Sequence, residues 1–394
     1  MDMKQLGGML LVAGNAIGGG MLALPLATAS LGFFPAMLFL ITCWALMLAG
    51  GLLMLEVNLR FPAGCHLLSM AHATLGRMGM ALTGLCYLLL LYALLAAYIA
   101  GGADFLYVWL HNTLALPCSL KLTAMIFVLI FGGIIYRGIH SVDRLNRWFM
   151  GGKLLLYGLL VSLLMPFVTT SYLRPGHFQL LPPGLTIMVT SFGFAAIVPS
   201  LRNYFAGDHR LLRRVIIVGS LIPLLCYILW NAAIMGIIPG QGPLGLSQLA
   251  QPAQPASALT DQLSHVLQRP LISRLAWGFS SICLATSFLG VGLSLTDFLT
   301  DGLRLAGLKK TKSSVAVLSF LPPLVTVWFF PSAFMKALYY AGIFCATLLV
   351  LLPALMAYAS RYYQPRPGPY QMAGGQWLLS LLIVASAIII VNAI

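Results

Sequence analysis

The sequence predicts an all-α integral membrane protein of eleven spans whose first and sixth spans are broken at mid-depth. Three observations predict it: composition, the recurrence of long apolar runs, and the one-sided placement of basic residues. Of 394 residues, 60% are hydrophobic and 8% charged, with a mean hydropathy of +0.96; a soluble domain carries roughly a quarter charged residues. An aqueous fold cannot hide that much apolar surface, so lipid is the solvent for most of the chain. Apolar runs of about 20 residues recur along its length, each long enough to cross a hydrocarbon core of ~30 Å. Backbone polar groups in lipid must be paired within the segment or in a closed barrel. The runs are too long and too evenly apolar for the alternation of barrel strands, which leaves helices.

Taken in order, the spans are expected at 6–32, 34–58, 81–107, 119–137, 147–169, 183–205, 213–237, 272–299, 313–330, 333–358 and 376–393. Residues 238–271, rich in Pro, Gln, Ser and Gly, read as an external loop, and 361–375 as a short linker. The whole chain, 1–394, reads as a single transmembrane domain.

The net charge of +14 would suggest nucleic acid in a soluble protein, but here the basic residues lie in short loops, where they set orientation. Only Lys121, Arg174, Arg269, Arg274 and Lys336 fall on one side of this map; the remaining 17 of the 22 Lys and Arg fall on the other. That asymmetry predicts a cytoplasmic N-terminus, an odd span count and an external C-terminus. Lys4 before an apolar stretch resembles the start of a signal peptide, but the ten spans that follow favour a retained first helix. Seven scattered cysteines form neither a disulfide framework nor a metal-ligand spacing. No cofactor or metal is expected, and the partners are a bilayer, a small solute and a coupling ion.

Two of the spans are interrupted. The first contains Gly14-Asn15-Ala16-Ile17-Gly18-Gly19-Gly20, followed by Pro25, a glycine density that costs a helix about 1 kcal/mol per residue against Ala. The sixth contains Thr190-Ser191-Phe192-Gly193-Phe194, followed by Pro199. These spans open two successive groups of five, about 6–169 and 183–358, with 376–393 as an extra helix. Because five is odd, the second group crosses the membrane inverted relative to the first. Interrupted helices at matching positions of two such halves point to a transporter with its site at the breaks. A glycine-mediated helix contact explains one break alone, but explains less well two at corresponding positions.

The run Gly14–Thr28 resembles the first-helix signature of the bacterial aromatic amino acid permeases, the tyrosine- and tryptophan-specific carriers of the hydroxy and aromatic amino acid permease family. Thr190–Phe194, Ala285–Gly290, Tyr340–Cys345 and Leu352–Met356 resemble the same family in the same order. The resemblance covers essentially the whole chain. It implies membership of the amino acid–polyamine–organocation superfamily, a leucine-transporter-like fold, and import coupled to protons at the bacterial inner membrane. Tyrosine-type members tend to carry a His after Ser-Phe-Gly-Phe, where this chain has Ala195 and Ala196; the choice between tyrosine and tryptophan therefore stays open.

A zwitterionic substrate needs both charges satisfied at mid-membrane, and an unwound helix offers free N–H and C=O groups for this. The carboxylate is assigned to the backbone at Gly18, Gly19 and Gly20, where absent side chains permit close approach. The ammonium is assigned to carbonyls near Asn15 and Ala16 and around Thr190 and Ser191. Phe192 and Phe194 are candidates to flank an aromatic ring, with Tyr92 and Tyr340 as weaker ones.

For coupling, the resemblance implies a fifth-helix lysine where sodium-coupled relatives hold sodium. Lys153, nine residues past Arg144 and hence ~13 Å along a helix, matches that placement, facing Thr286 and Ser287. A desolvated ammonium can shed its proton when the site opens; the ordinary alternative is a lysine that snorkels to the interface. Glu56, read as the one acidic residue well inside a span, is a second proton-site candidate or a structural clamp for a loop arginine. A channel or a membrane-embedded enzyme fits poorly, for want of filter repeats and catalytic motifs. Two alternatives remain: a serine/threonine–proton symporter of the sister branch, and a sodium-coupled carrier using Thr286 and Ser287.

Overall fold

The computed structural model describes residues 3–114, 118–173, 184–242, 245–250, 255–305, 311–330 and 332–393. All of its regular elements are helical. The first span is split into α1 (Met3–Ala16) and α2 (Gly20–Thr28), whose axes bend by 53° at the break. Then come α3 (Phe33–Leu59), α4 (Leu67–Leu114), α5 (Leu120–Tyr136) and α6 (Ile139–Leu164). The sixth span is α7 (Leu185–Ser191), a 3-10 turn over Gly193–Ile197, and α8 (Val198–Tyr204). It is followed by α9 (His209–Ile237), α10 (Leu246–Leu249), α11 (Pro255–Leu267), α12 (Pro270–Leu305) and α13 (Lys312–Phe329). The chain closes with α14 (Ala333–Ala346), α15 (Leu352–Tyr358) and α16 (Gly375–Asn392).

Among the described residues, nine helices are long and apolar enough to cross a membrane, and the bent α1–α2 pair makes a tenth crossing. The 17-residue α5 is apolar but shorter than these, so the described residues give up to ten crossings where the sequence predicts eleven. Arg174, Lys309 and Lys310 of the charge map lie outside the described residues.

Local chemistry sets several of these ends. Asp208 caps α9 by accepting from the amides of Arg210 and Leu211, both at 3.1 Å. Thr311 and Ser314 form a reciprocal capping box on α13. The third span begins earlier than expected: α4 runs from Leu67 and turns at Gly76, whose φ of +74° is a conformation that only glycine adopts without strain. The tenth span widens into a π-turn over Thr347–Leu351 just before Pro353. Proline lacks the N–H that would bind the carbonyl four residues back; that carbonyl, of Leu349, instead faces Gly50 of α3, where no Cβ stands in its way.

Two findings differ from the sequence reading. The segment 238–271 is not plain loop, because α11 is amphipathic and buries Leu259 and Leu263. Asp104 of α4, only 2% exposed, holds its N-terminus. The Asp104 carboxylate accepts from the Ser257 amide at 2.9 Å and the Ser257 hydroxyl at 2.5 Å. Glu56 is therefore not the one carboxylate deep in a span.

Glu56 itself is fully buried and clamped. Arg361 grips it bidentately, Nε to Oε1 at 2.8 Å and Nη2 to Oε2 at 2.5 Å. Arg60 Nη2 reaches Oε1 at 2.8 Å, and the Met372 amide reaches Oε2 at 2.8 Å. This ties the end of α3 to the end of the tenth span and to the linker before α16.

Candidate functional site

The first break leaves backbone groups without helical partners. Gly18 and Gly19 use their carbonyls to accept from Met21 and Leu22 at 3.1 and 3.2 Å. The amides of Gly18, Gly19 and Gly20 have no acceptor among the described residues. The carbonyls at the end of α1 are engaged by side chains: Ala16 O accepts from Tyr227 Oη at 2.7 Å, and Ile17 O from Lys153 Nζ at 2.7 Å. Three neighbours press on the glycines. A Cβ on Gly19 would stand 2.7 Å from the Tyr98 ring, one on Gly20 would stand 2.6 Å from Ser191 Oγ, and one on Gly18 would collide with Ser287 Oγ. The glycines are thus required by packing, because any side chain displaces one of these groups.

The second break lies beside the first. Asn15 Nδ2 donates to Gly193 O at 3.4 Å. The Tyr227 hydroxyl that meets Ala16 O also lies 3.1 Å from Ser191 O, so one side chain of α9 touches both breaks. Thr190 Oγ1 donates to Thr186 O at 2.8 Å and approaches Leu338 O at 3.2 Å, which ties α7 to α14.

Between the breaks lies a cavity of about 590 Å³, within the usual range for small-molecule sites. Its floor is formed by Asn15, Ala16, Gly20, Thr190, Ser191 and Tyr98. Its walls continue along Leu11, Asn146, Ser200, Tyr204 and Ser294 toward the face that carries the N-terminus. Farther along α4 the packing is tight. Gly101 sits so tightly against Leu284 and Phe334 that a Cβ there would lie 3.0–3.1 Å from them.

Lys153, 1% exposed, lines this cavity together with Thr286 and Ser287. An ammonium has three protons to donate; one is taken by Ile17 O, and no carboxylate among the described residues pairs with it. Thr286 Oγ1 donates within its own helix to Cys283 O at 3.0 Å.

Several expected residues stand elsewhere. Phe192 and Phe194 are fully buried and off the cavity wall. Phe192 packs edge-on against Tyr227, with ring centroids 5.4 Å apart, and Phe194 packs against Gly51. The 3-10 geometry explains this: its threefold repeat puts Gly193 and Ala196 on the cavity side and turns the flanking phenylalanines into the protein. Tyr92 donates from its hydroxyl to Leu318 O at 2.7 Å and faces α13. The cavity stripe of α4 is Tyr87, Leu91, Leu94 and Tyr98, at helical spacing, and Tyr92 lies ~100° round from Leu91. Tyr340 is 55% exposed and Glu56 sits in its clamp, both off the cavity. Gly18 and Gly19 lie behind the wall rather than on it. Tyr98 and Tyr227 were missed; period-3.6 spacing along α4 is the signal that favours Tyr98 over Tyr92, while Tyr227 has no local signature.

The geometry joins two broken helices, unpaired amides at the first break and a buried lysine around one cavity. The model of the tryptophan/tyrosine permease family matches residues 1–393. The chain belongs to that family. It is a permease, a multi-pass membrane transporter, and not an enzyme. It is 34% identical over 390 residues to the tyrosine-specific transport system 2 of Haemophilus influenzae, covering 98% of this chain and 95% of that one. It is 32% identical over 363 residues to the tryptophan-specific transport protein of Pseudomonas aeruginosa, covering 90% and 86%. In fold, the permease is similar to Mhp1, a nucleobase-cation-symport-1 family transporter solved in a closed conformation with bromovinylhydantoin bound. That likeness has a TM-score of 0.68 at 12% identity and covers 99% of this chain and 89% of that one. The leucine-transporter-like architecture implied by the family resemblance is therefore the fold observed.

Proposed function

We propose that the permease imports an aromatic amino acid (tyrosine, tryptophan or phenylalanine) by proton symport with alternating access at the bacterial inner membrane. The observation that carries the coupling is the bond from Lys153 Nζ to Ile17 O at the first break, which fixes a buried ammonium on the floor of the cavity. In its protonated form Lys153 holds the break in shape and faces the site with its remaining protons. Loss of that proton, once the cavity opens to the cytoplasm, weakens the tie and releases the substrate.

In this reading the substrate carboxylate meets the free amides at Gly18–Gly20, of which Gly20 reaches the cavity. The ammonium is received by Asn15 and by the Thr190–Ser191 end of α7. The carbonyls of Ala16 and Ser191 already meet Tyr227, so they share it with the substrate. Tyr98, Leu94 and Ala196, rather than Phe192, Phe194 or Tyr92, border the ring. The repeat boundaries 6–169 and 183–358 follow from the paired breaks. A cytoplasmic N-terminus makes the structure inward-facing, since the cavity opens on that side. Glu56, with its oxygens already engaged, is assigned a structural role.

The test is uptake by proteoliposomes of labelled tyrosine, tryptophan, phenylalanine, serine, threonine and glutamine under an imposed pH gradient or an imposed sodium gradient. Aromatic accumulation driven by pH is expected. Accumulation driven by sodium alone would remove Lys153 as the coupling group, and accumulation of serine or threonine alone would overturn the substrate class.

A further inference from the structure

One stripe of α6 takes no part in the cavity. Arg144, Arg147, Trp148, Gly151, Gly152 and Leu155 line a continuous surface trough at i, i+3, i+4, i+7, i+8 and i+11, a single helix face. Lys153, Met150 and Asn146 line the cavity; at ~100° per residue they lie on the opposite side of the same helix. The trough faces outward: Trp148 is 78% and Leu155 70% exposed.

Its chemistry changes along its length. At the N-terminal end stand two guanidinium groups and an indole, the residue types that bind phosphate in a planar fork and settle at headgroup depth. Asp143 pairs with Arg147 at 2.7 Å, whereas Arg144 has no carboxylate among the described residues. One positive charge is thus left over at the mouth of the trough. Below it the surface drops. A Cβ on Gly151 would meet nothing within 4 Å, and one on Gly152 would meet only Ile282 at 3.8 Å. The notch leads down to Leu155, in the apolar part of the span. Interface anchoring alone accounts for the arginines and the tryptophan, but not for an empty slot directly beneath them.

We infer that this stripe is a binding site for an anionic phospholipid, whose phosphate lies against Arg144 and Arg147 while one acyl chain fills the notch at Gly151 and Gly152. Charge complementarity selects an anionic over a zwitterionic headgroup, and the notch selects a lipid over a free anion. The bound lipid braces from behind the helix whose other face carries Lys153.

The test uses the purified full chain in detergent, with retention of phosphatidylglycerol and phosphatidylcholine read by native mass spectrometry. Arg144→Gln with Arg147→Gln is expected to lower phosphatidylglycerol retention about fivefold per arginine. Gly151→Leu, which leaves every charge in place, is expected to lower it as well. Arg213→Gln with Arg214→Gln, basic residues at the start of α9, serves as the off-site control and is expected to leave retention unchanged. Equal retention of the two lipids, an equal loss in the control, or unaltered binding in Gly151→Leu would each overturn the inference. So would displacement of the lipid by millimolar inorganic phosphate, which would mark a free-anion site. None of these readouts depends on transport.

Discussion

Replacing Glu56 by Gln separates a structural clamp from a proton-coupling carboxylate. The wild-type carboxylate accepts four hydrogen bonds and balances two arginines whose side chains are 5% and 2% exposed. Glutamine keeps the shape but removes the charge, and turns an amide donor toward a guanidinium. Removing one partner of a buried ion pair costs about 3–5 kcal/mol, because the other charge stays buried without compensation. At roughly 2 °C per kcal/mol for a chain of this size, the apparent melting temperature should fall by about 6–10 °C. The assay is thermal unfolding in detergent, followed by tryptophan fluorescence, with uptake and counterflow measured on the same preparation. If Glu56 carried the coupled proton instead, the variant would remain stable and keep substrate exchange while losing uphill accumulation. That pattern, with melting within about 2 °C of wild type, would refute the clamp.

Four further outcomes are expected. Lys153→Ala should abolish pH-driven accumulation while leaving substrate-for-substrate exchange measurable by counterflow; full accumulation would exclude the lysine from coupling. Tyr227→Phe deletes the one hydroxyl that meets both breaks and should weaken substrate binding by about 1–3 kcal/mol, read by scintillation proximity. Gly19→Val should eliminate substrate binding, because its branched side chain must evict the Tyr98 ring; unchanged affinity would detach the first break from the site. Asp104→Asn removes the charge and one of the two acceptor oxygens that hold Ser257 and should loosen α11, raising hydrogen exchange over Pro255–Leu267 with little change at α3.

The helical membrane class, both breaks and the burial of Lys153 were legible in the sequence because each rests on a strong local signal. A lysine in an apolar run and a cluster of glycines in a span both violate the rules of a lipid-embedded helix, and such violations point to sites. Side-chain direction was legible only where the local helix type was known. Phe192 and Phe194 were assigned to the substrate because they flank a break, but the 3-10 turn rotates them away from it. Tyr92 is the tyrosine the sequence singles out on this helix, whereas Tyr98, six residues on, is the one on the cavity wall. Asp104 escaped notice because its partner, Ser257, lies 153 positions away; no local pattern announces a carboxylate that caps a helix in a distant loop.

The shared position of Tyr227 has a consequence of its own. A phenol owns a single proton, yet here it faces Ala16 O and Ser191 O, one carbonyl from each interrupted helix. It can serve one fully or both by halves. A substrate ammonium that takes over Ser191 O releases the hydroxyl entirely to Ala16 O, on the strand of backbone whose next carbonyl holds Lys153. On the proposed reading, the arrival of an amino group at one helix is thereby registered, through the reassignment of one hydrogen, beside Lys153 at the other.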